Sequence, residues 1–279
     1  MRFSAVLCDE TSVESFSKFI GATSKLGRKR CCIRIQNDGL CFMSCEKLQD
    51  GGCWFCIFLP RTGQMFRQYD FSGFNDRVEE QNLIYLEANV DNFVKVLKGN
   101  LCYLKLKLTR TPAPDQDPII RIEVRSVDSD IIRHEVPIKI IMSRHWSQYE
   151  KPSLGRRKMS IYLPPPKSLY KVLQTYKNLN ATVIAFNASS GGDLRLEGTM
   201  DQGEIDVLFN DLSNDAAETD SQEDWARVKL MLKTVFPLFQ SFFFCNSRVK
   251  LNIISNQMAE FSMRSDDHQL CFIVGNVTE

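Results

Sequence analysis

Cysteine is the most reactive side chain in this 279-residue chain, and four of its ten cysteines fall close together as Cys41-x3-Cys45 and Cys53-x2-Cys56. Four thiolates at such spacings match a zinc site in ligand number and in range. The surrounding residues argue against it. Leu40 to Cys45 reads as a strand, and Cys53 and Cys56, set among Trp54, Phe55 and Ile57, fall on opposite faces of a second strand, whereas structural zinc sites use knuckle turns. Most of the others (Cys8, Cys31, Cys32, Cys102, Cys245, Cys271) lie in apolar strand-like runs, where a thiol packs as a small hydrophobe. The expectation is reduced, packed thiols and no metal. A zinc-binding module or enzyme built on the Cys41–Cys56 cluster is the alternative of another class. His134, His145 and His268 are far apart and lack metal-type spacing. There is no Walker phosphate loop, no G-x-S-x-G elbow and no H-E-x-x-H, and the Glu79-Glu80 pair lies in a polar loop. No catalytic residue and no cofactor is expected, and the chain reads as a non-enzyme.

The second candidate chemistry is electrostatic. Formal charge is +1 with 25% charged residues, so any polyanion must be met by a local patch. Four helices are expected, and three carry lysine on the face away from their apolar stripe. The first, about Ser12 to Leu26, opens on a Thr11-x-x-Glu14 capping box. It turns Val13, Phe16, Phe19, Ile20 and Leu26 inward, with Lys18 and Lys25 on another side. The second is capped by Asp91 and stopped at Gly99, with Phe93, Val94, Val96 and Leu97 inward and Lys95 and Lys98 outward. The third follows prolines 164 to 166, buries Leu169, Val172, Leu173 and Tyr176, and shows Lys167, Lys171 and Lys177. The fourth, about Thr234 to Phe242, carries Phe236, Phe239 and Phe242, with Pro237 near its start. Ordinary solvated helices mix charge signs, yet the acids expected within the first three are Glu14 and Asp91, both at caps. One-sign faces on a nearly neutral chain suit sequence-independent contact with phosphates. Arg28, Lys29 and Arg30 extend the first basic face. With Lys25, or as Arg156, Arg157 and Lys158, these residues also have the composition of a nuclear-import signal.

These helices need sheets beneath them. Leu104, Leu106 and Leu108 alternate with Lys105 and Lys107. Ile120, Ile122 and Val124 alternate with Arg121 and Glu123. The same period runs through Val228, Leu230 and Leu232, and through Val249, Leu251 and Ile253, so these are half-buried strands, most naturally antiparallel. The order also repeats. Arg2–Leu7 leads to a helix, an apolar strand (Cys31 to Ile35) and an Asp38-Gly39 turn. Ser160 to Leu163 leads to a helix, an apolar strand (Thr182 to Phe186) and a Gly191-Gly192-Asp193 turn. The expected fold class is α+β in two similar domains, 1–142 and 159–279, joined by a polar connector at 143–158. The acidic stretch Asp211 to Asp224 reads as a loop. A hydrophobic fraction of 43% supports a real core. No apolar stretch reaches the roughly 20 residues of a membrane span, and Asp9 and Glu10 interrupt any signal-peptide core. No membrane partner is expected.

The duplicated pattern, with its lysine-bearing helices, resembles that of DNA sliding clamps. More specifically the whole chain resembles the Hus subunit of the nine-one-one checkpoint clamp, within the clamps like proliferating cell nuclear antigen. The resemblance rests on Asn82-Leu83-Ile84-Tyr85-Leu86-Glu87, on His134-Glu135-Val136-Pro137-Ile138-Lys139-Ile140 and on Ser160-Ile161-Tyr162-Leu163-Pro164. The Met-Arg-Phe start and the Glu46-Lys47-Leu48 turn also fit. It implies the sliding-clamp fold, with antiparallel sheets outside and two helices inside in each domain. It also implies a heterotrimeric ring with two other clamp-like Rad-family subunits, encircling double-stranded DNA at damage sites. Further implied partners are a clamp loader, the checkpoint kinase machinery and repair enzymes, and the implied location is the nucleus, with a cytoplasmic pool. The ring-lining residues would be Lys18, Lys25, Arg28, Lys29, Arg30, Lys95, Lys98, Lys167, Lys171 and Lys177. Subunit contacts would use edge strands, at Ile131, Ile132, His134, Val136 and Ile138 in the first domain and at Ile205, Val207 and Phe209 in the second. Pro137 suits such an edge. A homotrimeric replication-type processivity clamp is the alternative within the same fold.

Overall fold

The structure, a computed structural model, describes residues 1–27, 29–74, 78, 82–111, 117–127, 129–153, 159–200, 203–214, 224–242 and 247–278. Arg28, Glu79, Glu80, Arg156, Arg157, Lys158, Cys245 and positions 215–223 of the acidic stretch lie outside the described residues. In chain order the elements begin β1 (Arg2–Leu7), α1 (Glu10–Leu26), β2 (Arg30–Gln36), β3 (Gly39–Cys45), β4 (Cys53–Pro60), β5 (Gln68–Ser72) and β6 (Ile84–Asn89). There follow α2 (Val90–Val96), β7 (Leu101–Arg110), β8 (Pro118–Ser126) and β9 (Ile132–Ile140). Then come β10 (Met159–Tyr162), α3 (Pro166–Asn178), β11 (Val183–Ser189), β12 (Leu194–Met200) and β13 (Gly203–Phe209). The chain closes with β14 (Trp225–Met231), α4 (Leu232–Phe242), β15 (Val249–Ile254), β16 (Met258–Arg264) and β17 (Gln269–Gly275). Two compact units result. One comprises Met1–Ser44, Cys56–Glu150 and Asp266–Gln269, the other Cys45–Phe55, Lys151–Ser265 and Leu270–Glu279.

In the first unit the strands follow the order β5-β1-β7-β8-β9-β6-β2-β3. Period-two alternation sets the register. Leu104 and Leu106 on β7 face Val124 and Ile122 on β8, and all four are buried. Strand β9 changes partner along its length: Ile132–Pro137 lie opposite β8, and Ile138–Ile140 lie opposite β6. Helix α1 packs its stripe of Val13, Phe16, Phe19, Ile20 and Leu26 out of water and lies against β7. Its cap is not the expected Thr11 box. Asp9 accepts from the Ser12 N–H at 2.7 Å, so the helix starts at Glu10. A carboxylate at the positive end of the helix dipole is the better acceptor. Glu14 therefore lies inside the helix, not at its cap. Helix α2 is capped by Asn89, whose side chain accepts from the Asp91 N–H, rather than by Asp91. That leaves the Asp91 carboxylate to accept from the Ser24 hydroxyl at 2.9 Å, while the Ser17 hydroxyl donates to the Leu97 carbonyl at 3.1 Å. These two bonds fasten α2 to α1. The first half of the polar 143–158 segment is a 3-10 turn, Ser143–Tyr149, in this same unit.

The second unit holds the four-stranded sheet β13-β12-β11-β14 and the run β10-β15-β16-β17. Gly192 takes φ +95 in the turn before β12, and a side chain there would collide with the Leu212 carbonyl. Helix α3 buries Leu169, Leu173 and Tyr176. The Tyr176 hydroxyl donates to the carbonyls of Leu196 at 2.8 Å and Ile205 at 3.2 Å, pinning the helix across β12 and β13. Helix α4 follows β14 without a linker, so Leu232, read as the end of the alternating strand, is the first helical residue. It suits either period, because its side chain is buried in both. Pro237 lies inside this helix, not near its start. Across β15 and β16, Asn252 donates to the buried Glu260 at 2.8 Å, and Lys151 pairs with the same carboxylate. Burial would raise the Glu260 pKa, but these donors outweigh it and hold the carboxyl low.

Two outcomes follow from this packing. Tyr176→Phe should destabilise the protein by about 1–2 kcal/mol, because it deprives two strand carbonyls of a buried donor; urea denaturation measures this. His268 is buried, with its ring 4.6 Å from that of Phe19, and burial depresses its pKa although Asp267 opposes the shift. A folded pKa below the unfolded value means that folding excludes a proton. Its contribution is therefore lost as pH falls below about 6.5. Melting between pH 7.5 and 5.5 should show a steeper loss in the natural chain than in His268→Gln.

Candidate nucleic-acid interface

Burial of each apolar stripe leaves the lysines outside. Lys18 and Lys25 on α1, Lys95 on α2, Lys98 just beyond it, and Lys167, Lys171 and Lys177 on α3 are all exposed, as are Lys29 and Arg30 after α1. Within each unit the two helices are neighbours: α2 is bonded to α1, and Tyr170 of α3 sits 5.4 Å from Phe236 of α4. The lysines of one unit therefore lie on adjoining helices rather than on scattered ones.

The structure alters the charge pattern read from the sequence in three places. Lys18 is paired with Glu14 one turn earlier at 2.8 Å, and Arg30 with Glu87 at 3.1 Å, so both cations are partly spent within the chain. Lys177 lies 4.4 Å above the Phe236 ring, a cation–π contact. Helix α1 also includes Glu10 in its first turn, so it is not single-signed. Helices α3 and α4 have no acid in their first turns and instead carry Lys167 and Lys233 there. Cations at a helix start oppose the helix dipole, by about 0.3–1 kcal/mol each. The same geometry is what receives phosphate from outside. Lys233 is exposed, and the sequence reading missed it because Val228-x-Leu230-x-Leu232 extended the strand up to it.

Among the described residues strand β13 pairs only with β12 and ends its sheet. Ile205, Val207 and Phe209 are half-buried on its inner side, while Leu208 is 52% exposed on the other. On β9, Ile132 is 53% exposed, Ile131 just before the strand is 47% exposed, and His134 is half-buried. Val136 and Ile138 differ from the expectation of contact residues: both side chains are buried in the core. Their backbones are already paired, Val136 opposite Ile120 of β8 and Ile138 opposite Ala88 of β6.

The four clustered cysteines do not converge as ligands. Cys41 is buried on β3 and Cys45 exposed at its end, while Cys53 is buried and Cys56 half-buried on β4. Among the described residues no three His, Cys, Asp or Glu side chains are placed to hold a metal ion. Cys31 and Cys271 are pushed up to about 12 by burial, as expected of packed thiols. Cys41 departs from them, since a bond from Cys56 and the Arg34 charge lower it against its burial.

Lysine-faced helix pairs laid on antiparallel sheets, twice over, are the architecture of a DNA sliding clamp. Solved structures agree. The chain superimposes on proliferating cellular nuclear antigen from Entamoeba histolytica with a TM-score of 0.74, at 13% identity and over 99% of both chains. It superimposes on that from Thermococcus kodakaraensis with a TM-score of 0.68, at 12% identity, over 98% of this chain and 99% of the other. Within that class the sequence is more specific. The model of the family described as Hus1-like protein matches residues 1–278, and the chain belongs to that family. Human checkpoint protein HUS1 is 27% identical over 98% of this chain and 99% of its own length. The Schizosaccharomyces pombe checkpoint protein hus1 is 22% identical over 78% and 73%. Membership makes this chain a DNA-damage checkpoint clamp protein, a scaffold and not an enzyme.

Lys25, Lys95, Lys98 and Lys171 should matter little to the fold. Replacing any one by alanine should change stability by less than about 0.5 kcal/mol, measured by thermal denaturation. A larger loss would give that lysine a structural role.

Proposed function

We propose that this chain joins two other clamp-like subunits of the Rad family in a heterotrimeric ring around double-stranded DNA. The observation that supports the DNA-facing assignment is the placement of Lys167 and Lys233 at helix starts that lack acids, next to the exposed Lys171. Retention is topological. Encirclement holds the duplex, and the lysines screen phosphates without reading bases. Lys25, Lys29, Lys95 and Lys98 would serve the first domain, 1–142, and Lys167, Lys171 and Lys233 the second, 159–279. Subunits would meet by strand addition, with β9 of one chain or β13 contributing its open edge and Ile131, Ile132 and Leu208 supplying apolar contact. The ring would be set on DNA by a clamp loader in the nucleus, and would then serve checkpoint kinases and repair enzymes as a platform.

The test uses the assembled ring. Replacing Lys25, Lys29, Lys95, Lys98, Lys167 and Lys171 together by alanine should leave assembly intact and shorten retention on DNA at moderate salt. It should also reduce the slope of log affinity against log salt by about five. Unchanged retention would overturn the DNA-facing assignment. Affinity capture with mass spectrometry should recover two other clamp-like chains, and a stable homotrimer of the purified chain in light scattering would contradict the heterotrimer.

A further inference from the structure

Across three neighbouring strands of the first unit, Cys41 on β3, Arg34 on β2 and Tyr85 on β6 stand directly opposite one another. The Arg34 guanidinium donates through Nη2 to Cys41 Sγ at 3.3 Å and also bonds Tyr85. Its Nε is buried without a partner. Among the described residues the ion pairs of this unit do not include Arg34, while the Asp38 charge reaches Cys41 and opposes its ionisation. Arg34 is half-buried, and a partly desolvated cation favours an anion beside it; the group at hand is sulfur. Cys56 packs against the same cluster and hydrogen-bonds Cys41. An acidic thiol beside a cation, with a second thiol touching it, is the arrangement that peroxides oxidise. The cluster is roofed by the 3-10 turn Ser143–Tyr149. Trp146 stacks on Tyr85 at 4.9 Å and donates from its indole N–H to the Ile141 carbonyl at 2.9 Å. Both Trp146 and Tyr149 are only half-buried, so lifting one short turn uncovers the site.

We propose that Cys41 and Cys56 are an oxidisable dithiol, with Arg34 holding Cys41 as the thiolate and a small neutral hydroperoxide as its oxidant. The Cys41 thiolate, its proton already given to solvent, attacks one peroxide oxygen. The O–O bond breaks, Cys41 becomes a sulfenic acid, and the departing hydroxide takes a proton to become water. The Cys56 thiol then attacks the sulfenic sulfur, the S–O bond breaks, and water leaves with the Cys56 proton. Two thiols lose two electrons, and one hydroperoxide is reduced, to two waters when it is hydrogen peroxide. Oxidation also removes the anion that compensates Arg34, which loosens the Trp146 roof. The proposal is independent of the clamp reading and can fail separately from it.

The test uses the full chain carrying Cys45→Ser and Cys53→Ala, so that the tryptic peptides 35–47 and 48–61 hold one cysteine each. Hydrogen peroxide followed by thiol alkylation should yield these two peptides disulfide-linked, with a red shift in tryptophan emission that Trp146→Phe abolishes. Arg34→Met, which removes the cleavage site at 34 and is read on peptide 31–47 with the link localised to Cys41 by fragmentation, should slow linkage at least tenfold. Cys56→Ser, which keeps Arg34, should leave a dimedone-reactive sulfenic acid on Cys41. The proposal is overturned if Cys41 stays a thiol at peroxide doses that oxidise the exposed Cys8 and the half-buried Cys102. Linkage that proceeds as fast without Arg34, in folded protein, overturns the role given to the cation.

Discussion

Each helix of this molecule has one apolar stripe to bury, and that constraint orients everything charged upon it. Phe16, Phe19 and Ile20 on α1, and Leu169, Leu173 and Tyr176 on α3, go into their sheets and drive Lys25 and Lys171 to the opposite face. The sheets accept the helices because their own strands bury alternate residues. The short bonds between α1 and α2 and the Tyr176 anchor then fix the lysines to rigid elements rather than to loops. The scaffold comes first, and the basic surface is its consequence.

Much of this was legible in the chain. Strands β7 and β8 announce themselves because one face is wetter than the other, which imposes a period of two, whereas β15 alternates in sequence although Asn252 on its second face is buried. The helix stripes are equally plain. What escaped is what competes locally. Thr11-x-x-Glu14 has the spacing of a capping box, but Asp9 offers a charged acceptor two residues earlier and takes the position. Leu232 satisfies both a strand and a helix, so it concealed the start of α4 and, with it, Lys233. Spacing alone could have paired Glu14 with Lys18 had Glu14 not been assigned to the cap. The Lys177–Phe236 contact joins two helices and had no signal in either.

The cysteines show a sharper boundary. Sequence spacing emphasised Cys41, Cys45, Cys53 and Cys56 as a group, and a group of four invites a metal. The register of β2, β3 and β6 instead selects Cys41 and gives it Arg34 and Tyr85 for neighbours. Cross-strand opposition is invisible until strand pairing is known. Arg34 reads in isolation as an ordinary polar residue within an alternating strand.

The lysines at the starts of α3 and α4 bear on energetics rather than geometry. Each opposes its own helix, so the unoccupied protein carries a small internal repulsion that a bound polyanion cancels. Binding and folding are thereby linked in one thermodynamic cycle. A polyanion that neutralised Lys167 and Lys233 would stabilise the second unit by about 0.3–1 kcal/mol at each helix start.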